Sequence, residues 1–251
     1  MSVPDLSFLA IAAPAVIFAG ISKGGFGSGA AFASAAILAL VVEPGAAIGI
    51  MLPLLMLIDA ATLRPFWRRW NTKDAVLLTL GALPGALLGA LFYRAADPDH
   101  LRLLIGAIAL LFVLWQIAAR SGRLPIAARP LPAWAGVLAG LGAGFTSFVA
   151  HAGGPVAAIY LLSKRFGKTE FQATTVIVFW INNLFKAIPY GFLGIFTLET
   201  LLLDLWLAPF ALFGTWLGVK AHFAIPERAF FALTYVLLTV TGTKLVWDGL
   251  I

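Results

Sequence analysis

Apolar runs fill the chain from end to end, separated by short polar connections, and most approach the ~20 residues that a membrane-spanning helix needs. Ten can be counted: Leu6 to Ser22, Gly29 to Val42, Ala46 to Leu63, Ala75 to Phe92, Leu101 to Ala119, Leu131 to Val149, Pro155 to Ser163, Ala173 to Phe192, Leu198 to Val219 and Ala229 to Val246. The second and seventh are short. At ~1.5 Å per helical residue the seventh reaches about 14 Å, half of a hydrocarbon core, and cannot span alone. Runs one and two, and again six and seven, are therefore expected to form helical hairpins or broken helices. Their Gly-rich turns would lie at membrane depth, where protein or a cavity must shield irregular backbone. Ten ordinary spans are the alternative.

The sequence also matches itself at an offset of 124 residues, which places Gly20 on Gly144, Ser22 on Thr146, Gly29 on Gly153, Asp59 on Asn183 and Pro65 on Pro189. The offset then drifts, pairing Gly85-Ala-Leu-Leu-Gly89 with Gly214-Thr-Trp-Leu-Gly218 and Pro98 with Pro226. The order of these matches implies two related halves, residues 1–122 and 123–251, joined by the Arg- and Pro-containing stretch Arg120 to Pro132 and acting as one unit.

Composition changes the picture from apolar to membrane-embedded. Of the 251 residues, 61% are hydrophobic and 11% charged, against about 25% charged in soluble domains. Too few charges remain to cover a water-facing surface, which argues against soluble enzymes and nucleic-acid readers. The formal charge of +6 is carried in short clusters between the runs, so basicity here reads as topology and not as nucleic-acid binding. There is no cysteine, hence no disulfide, thiol chemistry or Cys metal site, and the start MSVPDLSF lacks the basic region of a cleavable signal.

Arg64, Arg68, Arg69 and Lys73 follow run three, Arg120, Arg123 and Arg129 follow five, Lys164, Arg165 and Lys168 follow seven, and Lys220 and Arg228 bracket the turn after nine. Counting crossings puts all twelve on one side, the cytoplasmic one, with both termini outside. A hairpin in place of either short pair changes no parity. Each half then crosses an odd number of times, which makes the repeat inverted. The residues Trp67, Trp70, Trp134, Trp206 and Trp247 sit near run ends, as an interfacial belt would.

Two constellations could carry chemistry. In Ile21-Ser-Lys-Gly-Gly-Phe-Gly-Ser-Gly29, four glycines in six residues each destabilise a helix by about 1 kcal/mol relative to Ala, so an unwound stretch or tight turn is expected. Its counterpart is Gly144-Phe-Thr-Ser-Phe-Val-Ala-His-Ala-Gly-Gly-Pro155. Helix termini meeting there would present free N–H groups and positive dipole ends to an anion, with Lys23, Ser28, Thr146, Ser147 and His151 as polar side chains. Alternatively, the glycines only let helices pack closely and the hydroxyls bond to their own helix. The second constellation is Leu57-Ile-Asp59-Ala-Ala-Thr62 with Trp180-Ile-Asn-Asn183-Leu-Phe-Lys186. Asp59 reads as the one acidic residue deep in an apolar run, and Lys186 as the best-embedded cation. Each needs a partner or a wet cavity. Asp59 is either half of an ion pair, with Lys23, Lys186 or Arg64, or a proton-coupling carboxylate. His151 is either a satisfied histidine or a second coupling candidate, while His100 and His222 read as loop residues.

Other chemistries fail on the residues. Gly167-Lys168-Thr169 resembles the end of a phosphate-binding P-loop, but position 162 is Leu where that motif requires Gly. Phe26 breaks the Gly-x-Ser-Gly pattern of intramembrane serine proteases at Ser28.

At these motifs the chain resembles the sulfite exporter TauE/SafE family, small anion transporters of bacteria built from two related halves. The Lys-Gly-Gly-Phe-Gly-Ser-Gly turn, the Gly-x-Thr-Ser-x-x-x-His-x-Gly-Gly-Pro turn and the Pro-containing third and eighth runs carry the resemblance, which extends over nearly the whole chain. The family's second-half motif is generally richer in glycine than this one, which holds His151. The resemblance implies transport, often outward, of sulfite, thiosulfate, sulfonates or small carboxylates across the bacterial inner membrane. The expectation is thus an all-helical secondary transporter with an inverted repeat of about five helical segments per half, needing no cofactor or metal and having no catalytic residues. Its partners would be a small inorganic or organic anion and the lipid bilayer. Lys23, Gly25, Gly27, Ser28, Gly29, Thr146, Ser147, His151, Gly153, Gly154, Asn182, Asn183 and Lys186 would hold the anion, with Asp59 or His151 carrying coupling protons. A channel-like anion facilitator on the same site is the main alternative, and an intramembrane hydrolase a distant one.

Overall fold

The computed structural model describes residues 5–26, 31–121, 130–224 and 227–250. Among them are ten α-helices: α1 (Leu6–Ile21), α2 (Phe32–Leu38), α3 (Pro44–Leu63), α4 (Thr72–Ala95), α5 (Pro98–Arg120), α6 (Ala133–Ala150), α7 (Gly153–Ser163), α8 (Lys168–Phe192), α9 (Leu198–Ala224) and α10 (Glu227–Leu250). A π-helical turn, Ser22–Phe26, extends α1. Six helical stretches are long and apolar enough to cross a membrane: Leu6–Phe26, Pro44–Leu63, Thr72–Ala95, Pro98–Trp115, Ala133–Ala150 and Leu198–His222. The protein is an all-α polytopic membrane protein. Only helices can span lipid this way, because each satisfies its own backbone hydrogen bonds.

Runs two and seven are indeed short, α2 having 7 residues and α7 11, and each packs on the helix before it. The break between α6 and α7 has a specific geometry. His151 takes the left-handed conformation at φ 53° and ψ 19°. Its N–H donates to Ser147 O (3.0 Å) and that of Ala152 to Thr146 O (3.1 Å), the paired bonds that close a helix before a left-handed residue. The connection 27–30 in the first half, and the expected boundary between halves at 122 and 123, lie wholly or partly outside the described residues.

Exchanging α1 with α6, α2 with α7, α3 with α8, α4 with α9 and α5 with α10 maps most of the helix packing onto itself. The pair α4·α6 becomes α9·α1 and α3·α9 becomes α8·α4, while α5·α10 and α3·α8 map onto themselves. Helix α4 packs on α6 and α9 on α1, so the early and late helices of the chain are interleaved. Glycines permit this closeness. A Cβ on Gly81 would fall 1.9 Å from Val137 O and one on Gly144 2.0 Å from Ala82 O, joining α4 to α6. At the equivalent interface a Cβ on Gly20 would fall 2.6 Å from Thr215 N and one on Gly214 2.4 Å from Ile17 O. In lipid, which is as apolar as leucine, such close contact is what holds helices together.

Helices α3 and α8 run antiparallel at the centre. Gly49 abuts Ile195, Asp59 bonds to Asn183, and Phe66 packs with Ala173 and Val176. Asp59 and Asn183 are each the sixteenth residue of their helix, about 22 Å along it at ~1.5 Å per residue. Their meeting point is therefore equidistant from the N-termini of the two antiparallel helices.

The hydropathy pattern erred where polar residues enter helices. Run eight was begun at Ala173, but α8 starts at Lys168 and includes buried Gln172. His222, read as a loop residue, is a buried member of α9 only 3% exposed. Asp59 is not alone as a carboxylate within an apolar helix either. Asp204 also lies in α9 at 7% exposure, and neither carboxylate oxygen has a hydrogen-bond partner among the described residues. His100 is exposed at the start of α5.

Candidate anion site

The π-helical turn, the α6–α7 break and the meeting point of α3 and α8 bring eight of the sequence-selected residues into one place. Lys23, Asp59, Ser147, His151, Asn182, Asn183 and Lys186 are all at least 93% buried, and Gly154 lines the same small cavity. Lys23 Nζ lies 2.6 Å from Asp59 Oδ1, and Asn183 Nδ2 donates to Asp59 Oδ2 at 2.7 Å. Asp59 and Asn183 are separated by 124 residues, the offset of the sequence repeat, so equivalent positions touch. The same offset takes Lys23 to Ser147. Lys23 and Asp59 thus form an ion pair, while the residues 124 positions on are neutral Ser147 and Asn183.

Lys186 faces the end of α6. Its Nζ has three acceptors, Ser147 O at 2.9 Å, Ser147 Oγ at 3.0 Å and His151 Nδ1 at 3.0 Å, matching the three protons of an ammonium. A cation there also complements the negative end of the α6 dipole. His151 Nε2 lies 2.9 Å from Ile48 O. A carbonyl can only accept, so Nε2 carries the proton and Nδ1 receives the Lys186 bond. Both ring nitrogens of this neutral imidazole are thereby occupied, and the ring is held although its backbone is in a region that non-glycine residues seldom adopt. Asn182 Nδ2 donates to Ser147 Oγ at 3.0 Å, while its buried Oδ1 has no hydrogen-bond partner among the described residues.

The cavity is lined by Lys23, Ala31, Leu55, Ser147, His151, Gly154, Phe179 and Asn183. Room for the centre of a water amounts to ≈ 10 Å³, about one water. Lys23 Nζ sits 5.9 Å from the Phe179 ring centroid. The first turn of α7 opens beside it. Ala152 gives that helix no side-chain cap, and the N–H groups of Gly153 and Gly154 have no intrahelical acceptor, as in any first turn.

Not every selected residue reaches this centre. Thr146 Oγ1 lies 2.8 Å from Gly142 O and 3.1 Å from Ala152 O, within its own turn. Gly25 packs on α9, where its Cβ would meet Gly218 O at 2.3 Å. Gly153 is similarly tight, with Ala143 O 2.5 Å from its notional Cβ. Gly27, Ser28 and Gly29 lie outside the described residues. Two residues that hold the turn were missed by sequence reasoning. Gln172 Nε2 donates to Lys23 O, and His222 Nδ1 donates to Gly25 O at 2.7 Å. Both belong to stretches read as connections, so hydropathy gave no cue to them.

Two buried lysines and one carboxylate gather at this centre, beside a helix N-terminus and inside a bundle of membrane helices. That combination gives a helical membrane protein a buried polar centre. The chain belongs to the sulfite exporter TauE/SafE family, whose sequence pattern matches residues 12–245. It is accordingly an integral membrane protein of a transporter family associated with sulfur anions, and that family is not one of enzymes. No curated protein and no solved structure matches the chain significantly.

Proposed function

We propose that the protein is a secondary transporter that moves a small oxyanion outward across the bacterial inner membrane, the class being sulfite, thiosulfate, a sulfonate or a small carboxylate. The observation that carries this reading is the gathering of two lysines, Lys23 and Lys186, around the one carboxylate of Asp59 where α3 and α8 meet, all at most 3% exposed. Burying an unbalanced charge is costly, and an oxyanion balances it. Lys23 is the cation lining the cavity, with the Gly153 and Gly154 N–H groups, Ser147 and Asn183 as further donors. Lys186, His151 and Asn182 hold Ser147 and the α6–α7 break in position. Gly25, Gly27, Ser28, Gly29 and Thr146 enter through their place in the two turn motifs.

Of the two coupling candidates, Asp59 is favoured. A proton added to His151 Nδ1 would face the Lys186 ammonium 3.0 Å away. Reconstituted into liposomes, the protein is expected to give saturable sulfite or thiosulfate flux that an imposed pH gradient accelerates. Non-saturable flux would identify a channel-like facilitator, and no flux for any oxyanion would sink the reading. Room for about one water supports a carrier over an open pore.

The interleaved packing and the meeting of Asp59 with its equivalent Asn183 support an inverted repeat, since a two-fold axis brings equivalent positions together beside it. The two ends of the bundle also segregate. Asn71, Asp74, Lys164, Lys168 and His222 interact at one, and Glu43, Arg102 and Asp248 line a pocket at the other. In the proposed orientation the first end is cytoplasmic and both termini are outside. Single cysteines at Arg68 and Arg165 should resist an impermeant maleimide in intact cells, while those at Glu43, Asp97 and Glu199 react. Labelling of the first pair from outside would overturn the orientation.

A further inference from the structure

We infer that the Asp59 carboxylate is a tethered competitor for the anion-binding cation. It occupies Lys23 when charged and yields Lys23 to the transported oxyanion only on taking up a proton, so that one proton binds with each anion. This rests on the proposed reading of the site as an oxyanion site and adds the order of events within it.

The geometry is specific. Lys23 is the charged residue that both lines the cavity and touches Asp59, at 2.6 Å. The second cation cannot substitute, because Lys186 already has three acceptors in Ser147 O, Ser147 Oγ and His151 Nδ1. The carboxylate oxygen at 2.6 Å offers Lys23 the same kind of anionic acceptor as an oxygen of sulfite, a sulfonate or acetate. Asp59 and the ligand therefore ask for the same donor, and two anions on one buried cation repel. The room for about one water beside Lys23 fits a cation turned toward α3.

The exchange balances. A proton from solvent forms an O–H bond on Asp59 Oδ1, the ion pair to Lys23 breaks, and the ammonium turns to the incoming anion. Asn183 Nδ2 continues to donate to Oδ2, which keeps the neutral carboxyl bonded. The charge of the centre is unchanged when a monovalent anion and a proton enter together. Each such anion would cross with one proton and no net charge, so direction follows the sum of the anion and proton gradients.

The groups facing Asp59 allow this. From the π-helical turn comes Lys23, and from α8 come non-titrating Asn183 and, further off, Lys186. Helices α1 and α2 carry no charged residue. The titratable side chains of α5 lie at its ends. On α9, Glu199 and Asp204 lie near its start, and His222 is bonded to Gly25 O. Lys220 stands over the Trp216 ring at 3.9 Å.

The test uses purified full-length protein and methanesulfonate, a strong-acid anion whose own charge stays fixed across the neutral range. One proton taken up per anion makes the parent's Kd weaken about tenfold per pH unit where Asp59 titrates. Asp59→Asn, with no charge to compete, should bind more tightly than the parent at alkaline pH, with a Kd independent of pH. Proton uptake on mixing, read with an indicator dye in weak buffer, checks the same stoichiometry on the unaltered protein, so the result does not depend on the variant folding. Binding by the parent without proton uptake and with a flat Kd would overturn the inference while leaving the oxyanion site standing. An Asp59→Asn variant that keeps the parent's slope would do the same. Failure of the parent to bind methanesulfonate, thiosulfate or sulfite at any pH would remove the site reading, and the inference with it.

Discussion

Replacing Lys23 by methionine should abolish oxyanion binding and destabilise the protein at once, and the two effects should part company in a double variant. Asp59 is fully buried and its Oδ1 faces Lys23. Removing one partner of a buried pair leaves the other charge uncompensated, at a cost of about 3–5 kcal/mol. Lys23→Met/Asp59→Asn removes both charges and leaves Asn183 a neutral amide to bond, so most of that stability should return. Binding should not return, because the cation that the anion needs is absent. Thermal unfolding in detergent with and without oxyanion reads both quantities, since a ligand that binds the folded state raises its stability by RT ln(1 + [L]/Kd). A double variant that recovers anion-dependent stabilisation would show that Lys23 serves only to neutralise Asp59.

Gly144→Val should be among the most damaging single changes outside the polar centre. Its Cβ would lie 2.0 Å from Ala82 O and 2.8 Å from Ala82 Cα, and backbone cannot rotate aside as a side chain can. Helices α4 and α6 would have to separate, forfeiting contacts along the whole interface. The expected cost exceeds the ~1–3 kcal/mol usual for overpacking, which means a fall of roughly 10 °C in Tm or loss of monodisperse protein. Gly20→Val at the equivalent interface should behave alike. Gly191 is the control: it is helical and exposed, with nothing within 4 Å of its notional Cβ. There Ala should be neutral or gain up to about 1 kcal/mol from helix propensity. A well-folded Gly144→Val protein would show that the close approach of α4 to α6 is dispensable.

These two predictions divide along the line between what a sequence pattern can and cannot express. The glycines of Lys23-Gly-Gly-Phe and of Gly144-Phe-Thr-Ser fit both anion binding and close packing on sequence grounds, because the missing Cβ serves either purpose. Gly20, Gly25 and Gly144 press against neighbouring backbone. The Gly153–Gly154 turn does so in part and also opens α7 beside the cavity. Thr146 and Ser147 are adjacent in the motif, yet one bonds within its own turn and the other receives Lys186 and Asn182. Helical periodicity separates them by ~100°, and only the neighbours decide which direction is the site.

The sequence by itself determined that this is a helical membrane protein, where its runs begin to within a few residues in most cases, that two runs are too short to span, and which polar residues stand in unusual company. It could do so because transfer of side chains to lipid is nearly a local property, and a run of ~20 apolar residues has few other uses. Family membership was legible for the same reason, through motifs contiguous in the chain. Tertiary structure alone decided that Asp59 pairs with Lys23 instead of Lys186 or Arg64, that Lys186 caps the end of α6 through Ser147 and His151, and that His151 is a neutral donor to Ile48 O. It also decided that Gln172, His222 and Asp204 are buried. Ion pairing and burial depend on which helix faces which, and that is set by the summed packing of interleaved helices more than 100 residues apart in the chain, which no local pattern encodes.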